Sequence, residues 1–286
     1  MPLTAPPRAL ALALAGCAAP PDAALLAEAL GAADPQAALA ACGRIGGATT
    51  ADECRASVVQ AHAALIGPEA DQACGSVRDS RWRGECFFTL AERRMAGAAA
   101  TPEGRLPALQ ACGEAGPFYD ECLYHLWTGE LSAVARAAPT APAAVEPARP
   151  IVAYWSNLET IAGDPADQLW GDLWFFAWNE HRPADLQACG ALAPPDAAAC
   201  RTHTQAFVLR AILGELLAPG APPGVLDRTC RSGSVEDDRV AGLFVPHPDL
   251  DAQVAEAARL ACDAADGKAV RRYNPVFQPR GGGGAP

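Results

Sequence analysis

Ala41-Cys42-Gly43, Ala73-Cys74-Gly75, Ala111-Cys112-Gly113 and Ala188-Cys189-Gly190 are four copies of one tripeptide, and a second cysteine follows each: Cys54, Cys86, Cys122 and Cys200. The intervening stretches hold 11, 11, 9 and 10 residues. Strong helix formers precede every copy: Ala38-Leu39-Ala40-Ala41, Ala70-Asp71-Gln72-Ala73, Ala108-Leu109-Gln110-Ala111 and Asp185-Leu186-Gln187-Ala188. The glycine after each first cysteine suits a left-handed position just past a helix end. Glu53, Glu85 and Glu121 stand directly before second cysteines and suit the first turn of a new helix. Thr50 and Glu53 have the spacing of a capping box. Each copy therefore reads as helix, glycine stop, loop, helix, with one cysteine at each inner end.

Helix ends joined by a short loop lie close together. Pairing within each copy is the most economical way to meet the Cα separation a disulfide needs, about 4.4–6.8 Å. Buried free thiols are the alternative, and four matched copies weigh against it. Zinc is disfavoured because the chain contains no C-x-x-C pair. Cys230 and Cys262 are the last two cysteines and are expected to pair across a longer loop, although Arg231 rather than glycine follows Cys230.

The chain begins with Arg8 ahead of a short apolar run from Ala9 to Gly16, the layout of a signal peptide and too short to span a bilayer. Residues 17–34 include an Ala/Leu-rich helix around Ala23 to Leu30. Asp34-Pro35 opens the first hairpin, and residues 35–135 hold three. The second helix of the first hairpin is expected over about 51–65. Residues 136–150 are rich in proline and alanine and read as a linker or extended surface loop. In 151–266, a hairpin without cysteines is expected first, over about 151–162 and then from Asp164-Pro165 to about His181. The fourth stapled hairpin and the Cys230/Cys262 pair follow. Residues 267–286 read as a disordered tail. Strand patterning is absent, so the fold class is all-α: an array of disulfide-linked αα-hairpins, as one solenoid or two halves.

Half of the 286 residues are apolar and the net charge is −11, or −12 once Arg8 leaves with the first sixteen residues. So acidic a surface weighs against nucleic acid and against electrostatic attachment to anionic lipid. No metalloprotease, P-loop, nucleophile-elbow or calcium-loop motif occurs, and no cofactor is implied. The five histidines are scattered. Glu180-His181 near Asp185 is the one local grouping of acid and imidazole, and it reads as a solvated helix end. Trp170, Trp174 and Trp178 recur at a helical spacing. They read first as the core face of a helix and second as an aromatic groove for a peptide or glycan.

Leu14-Ala15-Gly16-Cys17 resembles the lipobox of bacterial lipoproteins. That resemblance implies cleavage before Cys17 and lipid, palmitate included, on the new N-terminal cysteine. It also accounts for the odd one of eleven cysteines. Ala18 and Ala19, with no aspartate, resemble outer-membrane cargo. Residues 35–134 and 183–218 resemble secreted cysteine-rich relatives of tetratricopeptide-like repeat proteins, which staple each hairpin with one disulfide. From these features the expectation is a non-enzymatic, lipid-anchored envelope scaffold for another protein or peptide. It would sit on the periplasmic side of the outer membrane and touch the membrane through its lipid alone. The alternatives are an exported all-α enzyme with a site in 151–218 and a purely structural envelope lipoprotein.

Overall fold

The computed structural model describes residues 21–158, 164–218, 221, 224–235 and 238–266. Cys17, the signal segment and the tail after 266 lie outside them. Thirteen α-helices are described: α1 Pro21–Gly31, α2 Pro35–Gly43, α3 Ala48–Ala61, α4 Pro68–Gly75, α5 Ser80–Ala96, α6 Pro102–Glu114, α7 Tyr119–Ala137, α8 Val145–Ser156, α9 Pro165–Glu180, α10 Pro194–Leu217, α11 Val225–Ser232, α12 Asp238–Ala241 and α13 Asp251–Ala265. Among the described residues there is no strand, only an isolated bridge between Ala184 and Phe244. The fold is all-α.

Two compact units divide the chain. Unit 1 comprises Met1–Arg94 and Gln110–Tyr119, and unit 2 comprises Met95–Leu109 and Asp120–Pro286. The expected division at 136–150 falls elsewhere. That stretch is no linker: it ends α7, makes a short 3-10 turn at Pro142–Ala144 and starts α8, with Ala141, Ala144, Val145 and Ala148 buried. Pro142 opens the 3-10 turn and Pro147 lies in the first turn of α8, where no intrahelical N–H bond is forfeited, whereas Pro150 lies inside α8 and forfeits the bond to the Glu146 carbonyl.

Unit 1 is a stack of hairpins. Cys42–Cys54 joins α2 to α3, and Cys74–Cys86 joins α4 to α5, each with a Cα separation of 5.5 Å. All four of these cysteines are fully buried. In unit 2, Cys189–Cys200 and Cys230–Cys262 have Cα separations of 5.6 and 5.5 Å. Cys112 and Cys122 are disulfide-bonded as well. These bridges place the chain in an oxidising compartment.

The local signals were only partly correct. Gly43 and Gly75 are the last residues of α2 and α4, and neither has a positive φ. Arg44 and Ser76 cap those helices in right-handed conformation. In the third copy α6 runs on to Glu114, and the left-handed residue is Gly116, at φ 57°. The fourth copy has no α-helix before its cysteine, because Ala188–Ala191 form a 3-10 turn. α3 begins at Ala48 on the Gly47 backbone, so Thr50 and Glu53 lie inside it and form no capping box. Glu53 and Glu85 fall in second turns, and Glu121 alone occupies a first turn. α3 stops at Ala61, short of residue 65. The expected caps at Asp34 and Asp164 are present, accepting N–H bonds from Gln36 and Ala37 and from Asp167.

Neighbouring hairpins of unit 1 are also joined by carboxylates. Asp22, in the first turn of α1, accepts from the main-chain N–H of Gly46 and Gly47 at 3.0 and 2.8 Å. Asp52, near the start of α3 and 4% exposed, accepts from Arg78 and Asp79 at 3.1 and 3.0 Å. Both recipients are the loop between the two helices of the next hairpin, so α1 behaves as the second helix of a preceding, incomplete repeat. Gly84 stands two residues before Cys86, as Asp52 stands before Cys54. A Cβ at Gly84 would lie 2.6 Å from both the Ala115 carbonyl oxygen and the Phe118 ring, so here direct packing replaces the carboxylate.

Candidate functional site

Unit 2 holds its polar groups in the core. Trp127 in α7 donates its indole N–H to Asp172 in α9 at 3.0 Å, with both side chains buried. Trp155 in α8 donates to Glu130 in α7 at 2.7 Å. Trp178 in α9 donates to Thr204 in α10 at 2.8 Å. Three large apolar side chains thus bury their rings, and each anchors its polar edge on a different helix, as a buried indole requires.

Two charged groupings sit on this framework. Arg105, 2% exposed, lies on α6 and binds Glu130 through Nε and Nη2 at 2.9–3.1 Å. Its guanidinium lies 4.2 Å from the Tyr154 ring centroid. Glu130 therefore accepts from one arginine and one indole, and no buried charge stands uncompensated there.

The second grouping surrounds Asp172. Burial pushes its carboxyl up to about 6, against the lowering effects of the Trp127 hydrogen bond and of Arg210. Tyr124 is pushed up to about 12, by burial first and the Asp172 charge second. Burial holds His203 below the usual histidine range although Asp167 lies 3.4 Å from its Nε2. A carboxyl poised near neutrality, a neutral imidazole and a phenol that keeps its proton are the parts of acid–base machinery. Asp172 is, however, 3% exposed and Trp127 5%, so they are sealed beneath packed helices. Asp172 is committed instead to the bond that ties α7 to α9.

The tryptophans singled out from sequence separate. Trp174 and Trp178 are 1% and 3% exposed and stack on each other at 5.9 Å, so neither lines an open groove. They face the core because Leu169, Leu173 and Ala177 share their side of α9. Trp170 is half-buried, with the Arg149 guanidinium 6.0 Å from its ring centroid. The Glu180, His181 and Asp185 grouping is not assembled: His181 Nε2 lies 3.0 Å from the Ala135 carbonyl, and Asp185 accepts from the Gln187 N–H of its own turn. Among the described residues no three His, Cys, Asp or Glu side chains are placed to share a metal ion.

Sequence reasoning missed Asp52, Arg105, Glu130 and Asp172. Asp172 had one visible signal, a lone acid inside Leu169-Trp170-Gly171-Asp172-Leu173-Trp174. The others rest on partners 25 to 27 residues away and left no local mark. Among the described residues no helix is long and apolar enough to cross a membrane. No protein-family model, no curated protein and no solved structure matches the chain.

Proposed function

We propose that the chain is a bacterial envelope lipoprotein, acylated on Cys17 and held on the periplasmic side of the outer membrane. In this reading it works as a non-enzymatic scaffold whose stacked hairpins bind another envelope protein or peptide. The observation that carries the reading is the way successive hairpins of unit 1 are joined: a disulfide inside the hairpin, and between hairpins an aspartate reaching the next tip at two joints and direct packing on Gly84 at the third. Such a joint builds an extended surface from interchangeable parts, the use to which stacked helical hairpins are suited. The groups of unit 2 with chemical potential support the same reading, since Asp172, Arg105 and Glu130 are committed to bonds between helices.

The test is crosslinking in the intact envelope with Cys17 present, followed by purification and peptide mapping. The expected result is one saturable partner whose crosslinks fall on exposed residues of a single unit and vanish when unlabelled chain competes. Turnover on a substrate panel together with no specific crosslink would overturn the proposal in favour of an exported enzyme.

A further inference from the structure

The chain enters unit 1 at one particular edge. The carboxylate of Asp22 holds the first turn of α1 against the α2–α3 tip at Gly46 and Gly47. Asp52 ties the start of α3 to the next tip, at Arg78 and Asp79, and the third tip, at Ala115 and Phe118, packs on Gly84 near the start of α5. Three tips and the beginning of α1 therefore share one edge of unit 1. Cys17 precedes Pro21 by four residues, which span at most about 14 Å when extended. With Cys17 acylated, the reading on which this inference rests, Pro21 cannot stand farther than that from the bilayer surface.

The chemistry of the edge fits the neighbour that the tether imposes. Trp82 and Tyr119 are half-buried there, and aromatic side chains with a polar edge favour the headgroup level of membranes. Arg78 is exposed and forms no ion pair with another described residue. The Arg81 side chain is 73% exposed and meets Glu85 in a solvated pair, weak enough to be exchanged for a phosphate. Of the acids near this edge, Asp22, Asp52 and Asp79 accept main-chain N–H bonds and Glu114 pairs with Arg83, while Asp120 and Glu121, next to Tyr119, are exposed. The loops at the other ends of the hairpins, 31–34 and 62–67, contain no Trp, Tyr or Phe, and the arginines that reach the second of them, Arg93 and Arg94, donate to the carbonyls of His62 and Ile66.

We infer that the hairpin-tip edge of unit 1 is a bilayer-facing surface. Arg78 and Arg81 take phospholipid phosphates, while Trp82 and Tyr119 rest among the headgroups. The net charge of −12 on the chain from Cys17 onward gives no long-range attraction to such a surface. The tether supplies it instead, raising the local concentration so that a few groups suffice to fix orientation.

The experiment is hydrogen exchange read by mass spectrometry. The acylated mature chain on vesicles of phosphatidylethanolamine and phosphatidylglycerol is compared with the C17S chain free in solution. Peptides over 76–83 and 115–119 should exchange several-fold more slowly on vesicles, while 62–67 stays unchanged. Substituting R78A and R81A in the acylated chain should return exchange at 76–83 on the same vesicles to the rate of the C17S chain in solution. Equal exchange at the tips, or protection at 62–67, would overturn the inference while leaving acylation standing. The mass of the N-terminal peptide separates the two readings, because an unmodified Cys17 in cell-derived protein removes the tether and overturns both.

Discussion

Replacing Asp172 by asparagine keeps an oxygen for the Trp127 indole and removes a proton-binding group from the core of unit 2. Burial drives this carboxyl from 3.8 to about 6. A group that holds its proton more tightly when folded makes the fold more stable on acidification. The penalty of the folded carboxylate is complete above pH 6, shrinks as the pH falls, and is gone below 3.8. A gap of that width corresponds to about 3 kcal/mol. About 2 kcal/mol of it lies between about pH 7.5 and about pH 4.5. His203 acts in the opposite sense, because its folded pKa is held below 6.5 and protonation there costs stability. Comparing the two chains removes the His203 contribution, and any cost of a buried asparagine N–H, about 1–3 kcal/mol, does not vary with pH. Urea unfolding followed by tryptophan fluorescence is the assay, since five of the six tryptophans belong to unit 2. The parent should gain about 2 kcal/mol on Asp172→Asn across that interval. A difference independent of pH, or one that grows in favour of the variant on acidification, would refute the reasoning.

Arg105→Ala should destabilise unit 2 by about 3–5 kcal/mol, because it leaves the Glu130 carboxylate with the Trp155 indole alone; the urea midpoint reports it. Asp52→Ala should cost about 2 kcal/mol and speed amide exchange at Arg78 and Asp79 specifically, whereas Asp22→Ala, at a more exposed joint, should cost about 1 kcal/mol. Replacing Cys74 and Cys86 together by alanine releases a loop closed over 12 residues and removes two fully buried sulfur atoms, so the loss should be at least about 3 kcal/mol. Non-reducing digestion should then still recover Cys42 with Cys54.

The hairpins were legible because a disulfide is a covalent statement about distance, and regular spacing between cysteines brings that statement into the sequence. Helix ends were less legible. Gly43 and Gly75 carry the residue type of a left-handed cap but stay right-handed, because Arg44 and Ser76 supply the terminal N–H bonds instead. The run at 136–150 looked unable to pack because its alanines are small, yet Ala141, Ala144 and Ala148 are small enough to be fully buried. The aspartate joints could not be read at all. Asp22 and Asp52 act 24 to 27 residues away on main-chain amides, which have no residue identity. The Trp174 and Trp178 pair was legible as a helix face, and the neighbouring leucines, rather than the indoles themselves, decide that the face is inward.

Those same joints bear on how such a chain changes over generations. Ile45-Gly46-Gly47 and Val77-Arg78-Asp79 share little chemistry, yet each is gripped in the same manner through its backbone. A grip on the backbone leaves most of the gripped loop free to drift, Gly47 excepted, where a Cβ would lie 2.9 Å from the Asp22 carboxylate. Mutation can therefore rewrite the outward face of one tip without unseating its neighbours, and a duplicated hairpin would arrive with its own fastening already in place.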